Sequence, residues 1–165
     1  MTISDAFKSL LARIAPLQSE IDAAECHIAT IRTRLAEAYT LKGFVRAGSY
    51  SRGTFIRGSS DVDLFAVVTR DDARWGRGYM KSDTMLNNFR DELAARFRST
   101  PVSRDIHAIV VCFSDCQVDV VPTFFAGMTS AKYPMYSIPD GRGEWMTTSP
   151  AHHNAYIREA DEASR

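Results

Sequence analysis

Asp61 and Asp63 stand two positions apart at the end of the run Gly48-Ser49-Tyr50-Ser51-Arg52-Gly53-Thr54-Phe55-Ile56-Arg57-Gly58-Ser59-Ser60-Asp61-Val62-Asp63-Leu64. On a strand, residues two apart share a face, so the two carboxylates project side by side while Val62 turns into the core. Carboxylates that close repel each other unless positive charge lies between them. A divalent cation meets that need, and Mg²⁺ favours a few carboxylates together with phosphate oxygens. Upstream, Gly48-Ser49 reads as a turn that would offer backbone N–H groups and a hydroxyl to those phosphates.

Asp119 is the second chemical signal. It sits among Val118, Val120 and Val121, and an aspartate in so apolar a strand is costly to bury unless paired or metal-bound. Alone it would read as an edge-strand residue facing solvent. Together, one strand with two carboxylates and another with one are the parts of a two-metal phosphoryl-transfer site. In that scheme Asp61 and Asp63 bridge both ions. Asp119 holds only the ion that activates the attacking hydroxyl, and helps to orient or deprotonate that hydroxyl. The second ion grips the triphosphate and steadies the departing pyrophosphate.

These residues need a scaffold, and hydrophobic spacing sketches one. Residues 5–40 read as helix, with Phe7, Leu10, Ile14, Leu17, Ile21, Ala24, Ile28, Ile31, Leu35 and Ala38 at steps of three and four. Pro16 predicts a kink or break near Ala15. The stripe would serve either as a dimeric coiled-coil seam or as a spine packed along a globular body; the weak Ala positions and the short heptad run favour the spine. His27 reads as a flank residue. Lys42-Gly43 reads as the stop, then Phe44 to Ala47 as a short strand, 51–57 as a turn, and Val62 to Val68 as the strand bearing the acidic pair. Thr69 to Lys81 reads as loop. Asp83 to Arg98 reads as an amphipathic helix with Ser82 as N-cap and Leu86, Phe89, Leu93 and Phe97 inside. Ile106 to Phe113 and Gln117 to Val121 read as a hairpin about Ser114-Asp115, stopped by Pro122. Residues 123–149 read as loop-rich, with a strand at Met135 to Ile138. Ser149-Pro150 opens a last helix, which Arg165 cuts off with no C-cap Gly and no closing element, so the chain is expected to be part of a longer protein.

Composition removes several classes. Lys plus Arg equals Asp plus Glu at 20 each, so no global field draws in nucleic acid. Three scattered cysteines, Cys26, Cys112 and Cys116, fit a reducing cytoplasm better than a disulfide framework. Cys112 and Cys116 lack a second Cys or His pair to complete a zinc set. No apolar run is long enough to span a membrane, and the N-terminal residues do not read as a basic-then-apolar signal peptide.

Gly48-Ser49-x-x-x-Gly53-Thr54 followed by Ser60-Asp61-x-Asp63, with the third acid in Val118-Asp119-Val120-Val121-Pro122, resembles the signature of the polymerase-β-like nucleotidyltransferases. Within that superfamily the long leading helix, Gly-Ser-Tyr-x-Arg-Gly-Thr, and the tail Ile138-Pro139-Asp140…Trp145…Ser149-Pro150 resemble the cGAS/DncV-like nucleotidyltransferases (CD-NTases). The resemblance implies an α+β fold: a mixed or antiparallel sheet with flanking helices, plus a spine helix. It implies three parts: the spine over 1–42, a catalytic core over 43–149, and over 150–165 the start of a helix leading to a C-terminal helical lobe. It further implies template-independent joining of NTPs, with Mg²⁺ (two ions, Mn²⁺ able to substitute), into cyclic or linear oligonucleotide signals of bacterial antiphage defence. Carried over, Gly48 and Ser49 bind donor phosphates, and Asp61, Asp63 and Asp119 are the catalytic metal ligands. Without the lobe the isolated chain is expected to lack the full pocket. Competing readings are an RNA-extending (CCA-adding-like) or protein-modifying enzyme of the superfamily, and a non-catalytic nucleotide-binding module that dimerises through the spine.

Around the motif, Arg52 and Arg57 would either touch triphosphate or remain solvated. Tyr50 reads as a partly buried structural residue, Trp145 as a loop anchor, and His152 and His153 as surface residues, since neighbours on a helix point about 100° apart.

Overall fold

Pro16 divides the predicted spine in two. A computed structural model describes residues 2–58 and 61–164; Ser60 of the acidic motif, with Met1, Ser59 and Arg165, lies outside the described residues. Helix α1 (Ile3–Ile14) opens on a Thr2–Asp5 capping box, in which two orphan N–H groups are satisfied reciprocally. It ends at Ala15, held extended ahead of Pro16, where the pyrrolidine ring disfavours helical backbone. Helix α2 (Gln18–Ala38) then buries Ala24, Ile28, Ile31 and Leu35, the three-four stripe read from sequence. Only α2 acts as a packed spine: Phe7 is 62% exposed and Ile3 81%, and α1 buries no residue at all.

The sheet follows. Strand β1 (Leu41–Arg46) pairs antiparallel with β2 (Val62–Val68). The predicted stop at Lys42-Gly43 is incorrect: Gly43, at φ 154°, sits inside β1 at a register shift, where a bulge can use its missing Cβ. Helix α3 (Gly48–Arg52) joins the two strands, so Gly48-Ser49 starts a helical turn rather than an open loop. Strand β2 has the bounds expected. In the loop after it, a two-stranded ladder, β3 (Arg74–Trp75) with β4 (Gly78–Tyr79), replaces the expected irregular stretch.

Helix α4 (Ser82–Arg96) has Lys81 at its N-cap, so Ser82 is its first residue rather than its cap. Ser82 is fully buried, its N–H donates to the Gly143 carbonyl, and its hydroxyl makes no hydrogen bond among the described residues. Strand β5 (Val102–Arg104) was not anticipated; it pairs with β6 (Ile109–Cys112), which is shorter than the predicted Ile106 to Phe113 because Ile106 lies 60% exposed in the connection. Strand β7 (Gln117–Met128) runs straight through Pro122. Its β6 partner is matched up to Val120 and β8 (Pro134–Pro139) only from Phe124. No ladder donor is therefore required of Pro122 on that edge, the condition under which proline is tolerated in a sheet. Strand β9 (Trp145–Thr148) completes residues expected to be largely loop. Helix α5 (Pro150–Ala163) begins as expected, Ser149 Oγ accepting from the His152 N–H with Pro150 in the first turn.

The main order is β1-β2-β7-β6-β5, with β8 on the distal half of β7 and β9 beside it. Val62, Leu64, Ala66 and Val68 of β2 join Val118 and Val120 of β7 in one core with α2 and with Met85, Leu86, Phe89 and Leu93 of α4. The α+β class inferred from sequence is the class observed. By strand parity the odd-numbered residues of β2 and β7 face the other way; there Phe65 and Val121 form a second cluster with Ala47, Ala108 and Ile138. Asp63 and Asp119 share that parity.

Candidate active site

β2 and β7 are parallel, and their register pairs Asp63 with Asp119. Each is flanked by fully buried valines, Val62 and Val118, which anchor the strands from the opposite face. Asp61 is exposed one residue before β2 begins. Chain segments 56 residues apart thus bring two of the three predicted acids to neighbouring positions, with the third at the strand mouth.

Gly48 fits against this pair. Its φ is +58° and a Cβ there would collide with Asp63 Oδ2; only glycine tolerates both the left-handed backbone and that approach. Ala47 N–H donates to the Asp63 carbonyl (2.9 Å), tying the entry of α3 to β2. Ser49 follows in the first turn of α3, and Ser51 Oγ donates to the Gly48 carbonyl while accepting from Asn154 Nδ2 of α5 (3.1 Å). These bonds fix α3 from both sides.

The electrostatics match the crowding. Burial raises the Asp63 carboxyl above its ordinary value, Asp61 adds to the rise, and Arg52 opposes it. Burial likewise pushes Asp119 up to about 6; the hydrogen bond from Gln117 opposes this, and Asp61, Asp63 and Asp105 add to it. Gln117 Nε2 donates to Asp119 Oδ1 (3.0 Å), and Cys112 Sγ donates in turn to Gln117 Oε1 (3.9 Å). Gln117 was not singled out from sequence, although lying two residues before Asp119 on one strand puts it on the same face.

The donor set suits a hard divalent cation: three carboxylates, oxygen only, mutually repelling, with Asp63 and Asp119 half-buried, beside a glycine whose missing side chain keeps the approach to Asp63 open. Asp61, Asp63 and Asp119 are held apart more widely than a closed cluster. Among the described residues, the one group of at least three His, Cys, Asp or Glu ligand atoms all within 4.8 Å of one another is His27, Asp115 and Cys116.

The remaining candidates sort by their partners. Arg52 is exposed and close enough to lower Asp63's proton affinity; with Arg158 and Asn154 it lines a cavity of about 610 Å³ between α3 and α5. Arg57 is held away, ion-paired to Glu20 (3.2 Å) with its N–H on the Ile14 carbonyl. Tyr50 donates to Glu25 Oε1 (2.6 Å) and meets Phe55 edge-on, a structural role. Trp145, expected in a loop, begins β9, and its Nε1 donates to the Met80 carbonyl. His153 is exposed, and His152, also exposed, stacks on Tyr133. His27 is more than a flank residue, since its Nε2 is hydrogen-bonded to Asp115. No helix among the described residues is long and apolar enough to cross a membrane.

Comparison with known proteins gives a consistent picture. The family model of the Second Messenger Oligonucleotide or Dinucleotide Synthetase domain matches residues 1–161. A Bacillus cereus (strain VD146) protein named "Probable cyclic nucleotide synthase" is 26% identical over 151 residues, 75% of this chain and 46% of the relative. The cyclic AMP-AMP-AMP synthase of Escherichia coli (strain MS 115-1) is 26% identical over 123 residues, 73% of this chain and 37% of the relative. The chain thus spans less than half the length of these curated relatives. Among solved structures, E. coli MS115-1 CdnC with ATP superposes with a TM-score of 0.60 at 20% identity, over 91% of this chain and 48% of that one. The Elizabethkingia meningoseptica CdnE cyclic dinucleotide synthase with GTP and Apcpp gives 0.61 at 20% identity, over 82% and 51%.

Proposed function

This chain belongs to the Second Messenger Oligonucleotide or Dinucleotide Synthetase domain family, and on that premise we propose that it is the catalytic portion of a template-independent nucleotidyltransferase making a cyclic or linear oligonucleotide signal from NTPs, in the cytoplasm, as part of bacterial antiphage signalling. The observation that carries this reading is the in-register pairing of Asp63 and Asp119 on parallel strands, with Gly48 packed against Asp63. The proposed division is a spine over 1–42, a catalytic core over 43–149 and, from 150, a helix leading toward a C-terminal lobe.

Asp61, Asp63 and Asp119 would hold two Mg²⁺ ions, or Mn²⁺ in their place. Those ions, when bound, would neutralise the phosphate charge and lower the pKa of the attacking hydroxyl. Asp119, with Oδ1 fixed by Gln117, orients the attacking sugar hydroxyl and receives its proton. Burial, with the neighbouring carboxylates, raises its proton affinity, and a bound cation would oppose that rise and keep it ionised, the form a base needs. Gly48 and Ser49 bind the donor phosphates through the first turn of α3, and the bonds from Ser51 and Asn154 keep that turn rigid. Rigid positioning supplies much of the rate in phosphoryl transfer, where little covalent chemistry falls to the protein.

Incubation of the full-length protein with the four NTPs and Mg²⁺ or Mn²⁺, without template, tests the reading. Discrete small products resistant to phosphatase support it. Label transferred to tRNA or protein would identify one of the related enzymes instead, and NTP binding with no turnover a non-catalytic module.

A further inference from the structure

We propose that His27, Asp115 and Cys116 form a binding site for a borderline-soft divalent cation, Zn²⁺ by its ligand preferences, separate from the three aspartates and independent of the nucleotidyltransferase reading. The ligand atoms of the three residues lie within 4.8 Å of one another. One comes from α2 and two from the turn between β6 and β7, so the set closes across the fold rather than along one element. Imidazole nitrogen, thiolate sulfur and carboxylate oxygen together select zinc over magnesium, which takes oxygen alone.

The site is built rather than incidental. The His27 ring is stacked on Phe113, centroids 3.7 Å apart and planes within 10°. Phe113 is itself packed edge-on against Phe97. The ring therefore has one orientation, with Nε2 2.8 Å from Asp115 Oδ1. In a tetrahedral zinc site with bonds of about 2.0–2.3 Å, neighbouring donors lie about 3.3–3.8 Å apart. The His27–Asp115 pair must widen by about half an ångström, which Asp115, at a turn and 43% exposed, can supply. Zinc would take the place of the proton these two share, with the ring in its Nδ1–H tautomer. As the S–Zn bond forms, the Cys116 S–H bond breaks and its proton passes to solvent.

The fourth position has somewhere to open. Asp115 and Cys116 line a cavity of about 220 Å³ that also reaches Asp61, Gln117 and Glu20. Three protein ligands with an accessible fourth place describe an open zinc site, and here that place faces the mouth of the acidic pair. Gln117, next to Cys116, holds Asp119, so occupancy would pin the first residues of β7.

Metal-free protein titrated with Co²⁺, the spectroscopic substitute for Zn²⁺, tests the site. One equivalent should produce a thiolate-to-cobalt charge-transfer band that Zn²⁺ displaces and Mg²⁺ does not. The band should vanish in Cys116→Ser and persist in Cys26→Ser and in Asp119→Asn. His27→Ala should weaken Zn²⁺ by at least the ~10–100-fold that even an outer-sphere ligand partner contributes. Because wild-type protein alone gives the primary result, poor folding of a variant leaves the test intact. Absence of a thiolate band in wild type, or its survival in Cys116→Ser, would overturn the proposal.

Discussion

Asp63 and Asp119 occupy paired positions on the parallel strands β2 and β7, their carboxylates on the sheet face turned away from α2 and α4. If this pair holds the catalytic cations, charge at each position is indispensable while its shape is not. Asp63→Asn and Asp119→Asn should each lower Mg²⁺-dependent NTP turnover by at least roughly 100–1,000-fold, the loss typical of one charge-stabilising group. Circular dichroism should remain unchanged. Retention of turnover in either variant would remove that residue from the site.

Gly48→Ala should damage both stability and the site. The new Cβ meets Asp63 Oδ2 on a backbone held at φ +58°, so Asp63 or the start of α3 must shift. Forcing a methyl group into filled space costs about 1–3 kcal/mol, a fall of several degrees in melting temperature for a chain of this size. Gly53→Ala serves as the comparison: Gly53 has φ +69° but open space around it. It should lose stability through backbone strain alone and keep its metal affinity.

The raised proton affinity of Asp119 gives a signed pH effect. Its folded value near 6 exceeds the ordinary 3.8, so the native state binds the proton more readily than the unfolded chain. The stability this contributes is fully present below about pH 4 and is lost as pH rises through about 6. In EDTA, wild-type melting temperature should fall across that window relative to Asp119→Asn. In saturating Mg²⁺ the difference should reverse, because the cation needs the ionised carboxylate. Parallel curves for the two proteins in EDTA would contradict the assignment.

Gln117 is expected to act as a positioning residue. Gln117→Leu removes the donor to Asp119 Oδ1 while keeping similar bulk. Turnover number should fall by about tenfold with KM for NTP little changed, and the acidic limb of the rate profile should move upward, since the bond from Gln117 lowers Asp119's proton affinity. A purely structural role would leave that limb in place.

Strand β2 was legible to the residue because its seven positions form an apolar run interrupted only by Asp63, with Asp61 immediately before it. The pairing of Asp119 with Asp63 was legible only as a need for charge neutralisation; the parallel register is set by the core valines on the opposite face and has no local signature. Pro122 misled because its effect depends on what lies beside it, and β6 and β8 leave that edge position unmatched. The spine was half right for a similar reason. Its periodicity persists through α1, yet whether an apolar stripe is covered depends on partners the stripe does not specify, and α1 buries none of its residues. His27 and Asp115 are 88 residues apart, and no spacing rule joins a helix histidine to a hairpin-turn aspartate.

The most direct test is anomalous diffraction from crystals grown with Mn²⁺ and a non-hydrolysable ATP analogue. Two manganese peaks are expected between β2 and β7, one touching Asp61, Asp63 and Asp119, the other Asp61, Asp63 and the analogue's phosphates beside Gly48 and Ser49. Manganese absent from these carboxylates with the nucleotide bound elsewhere would contradict this.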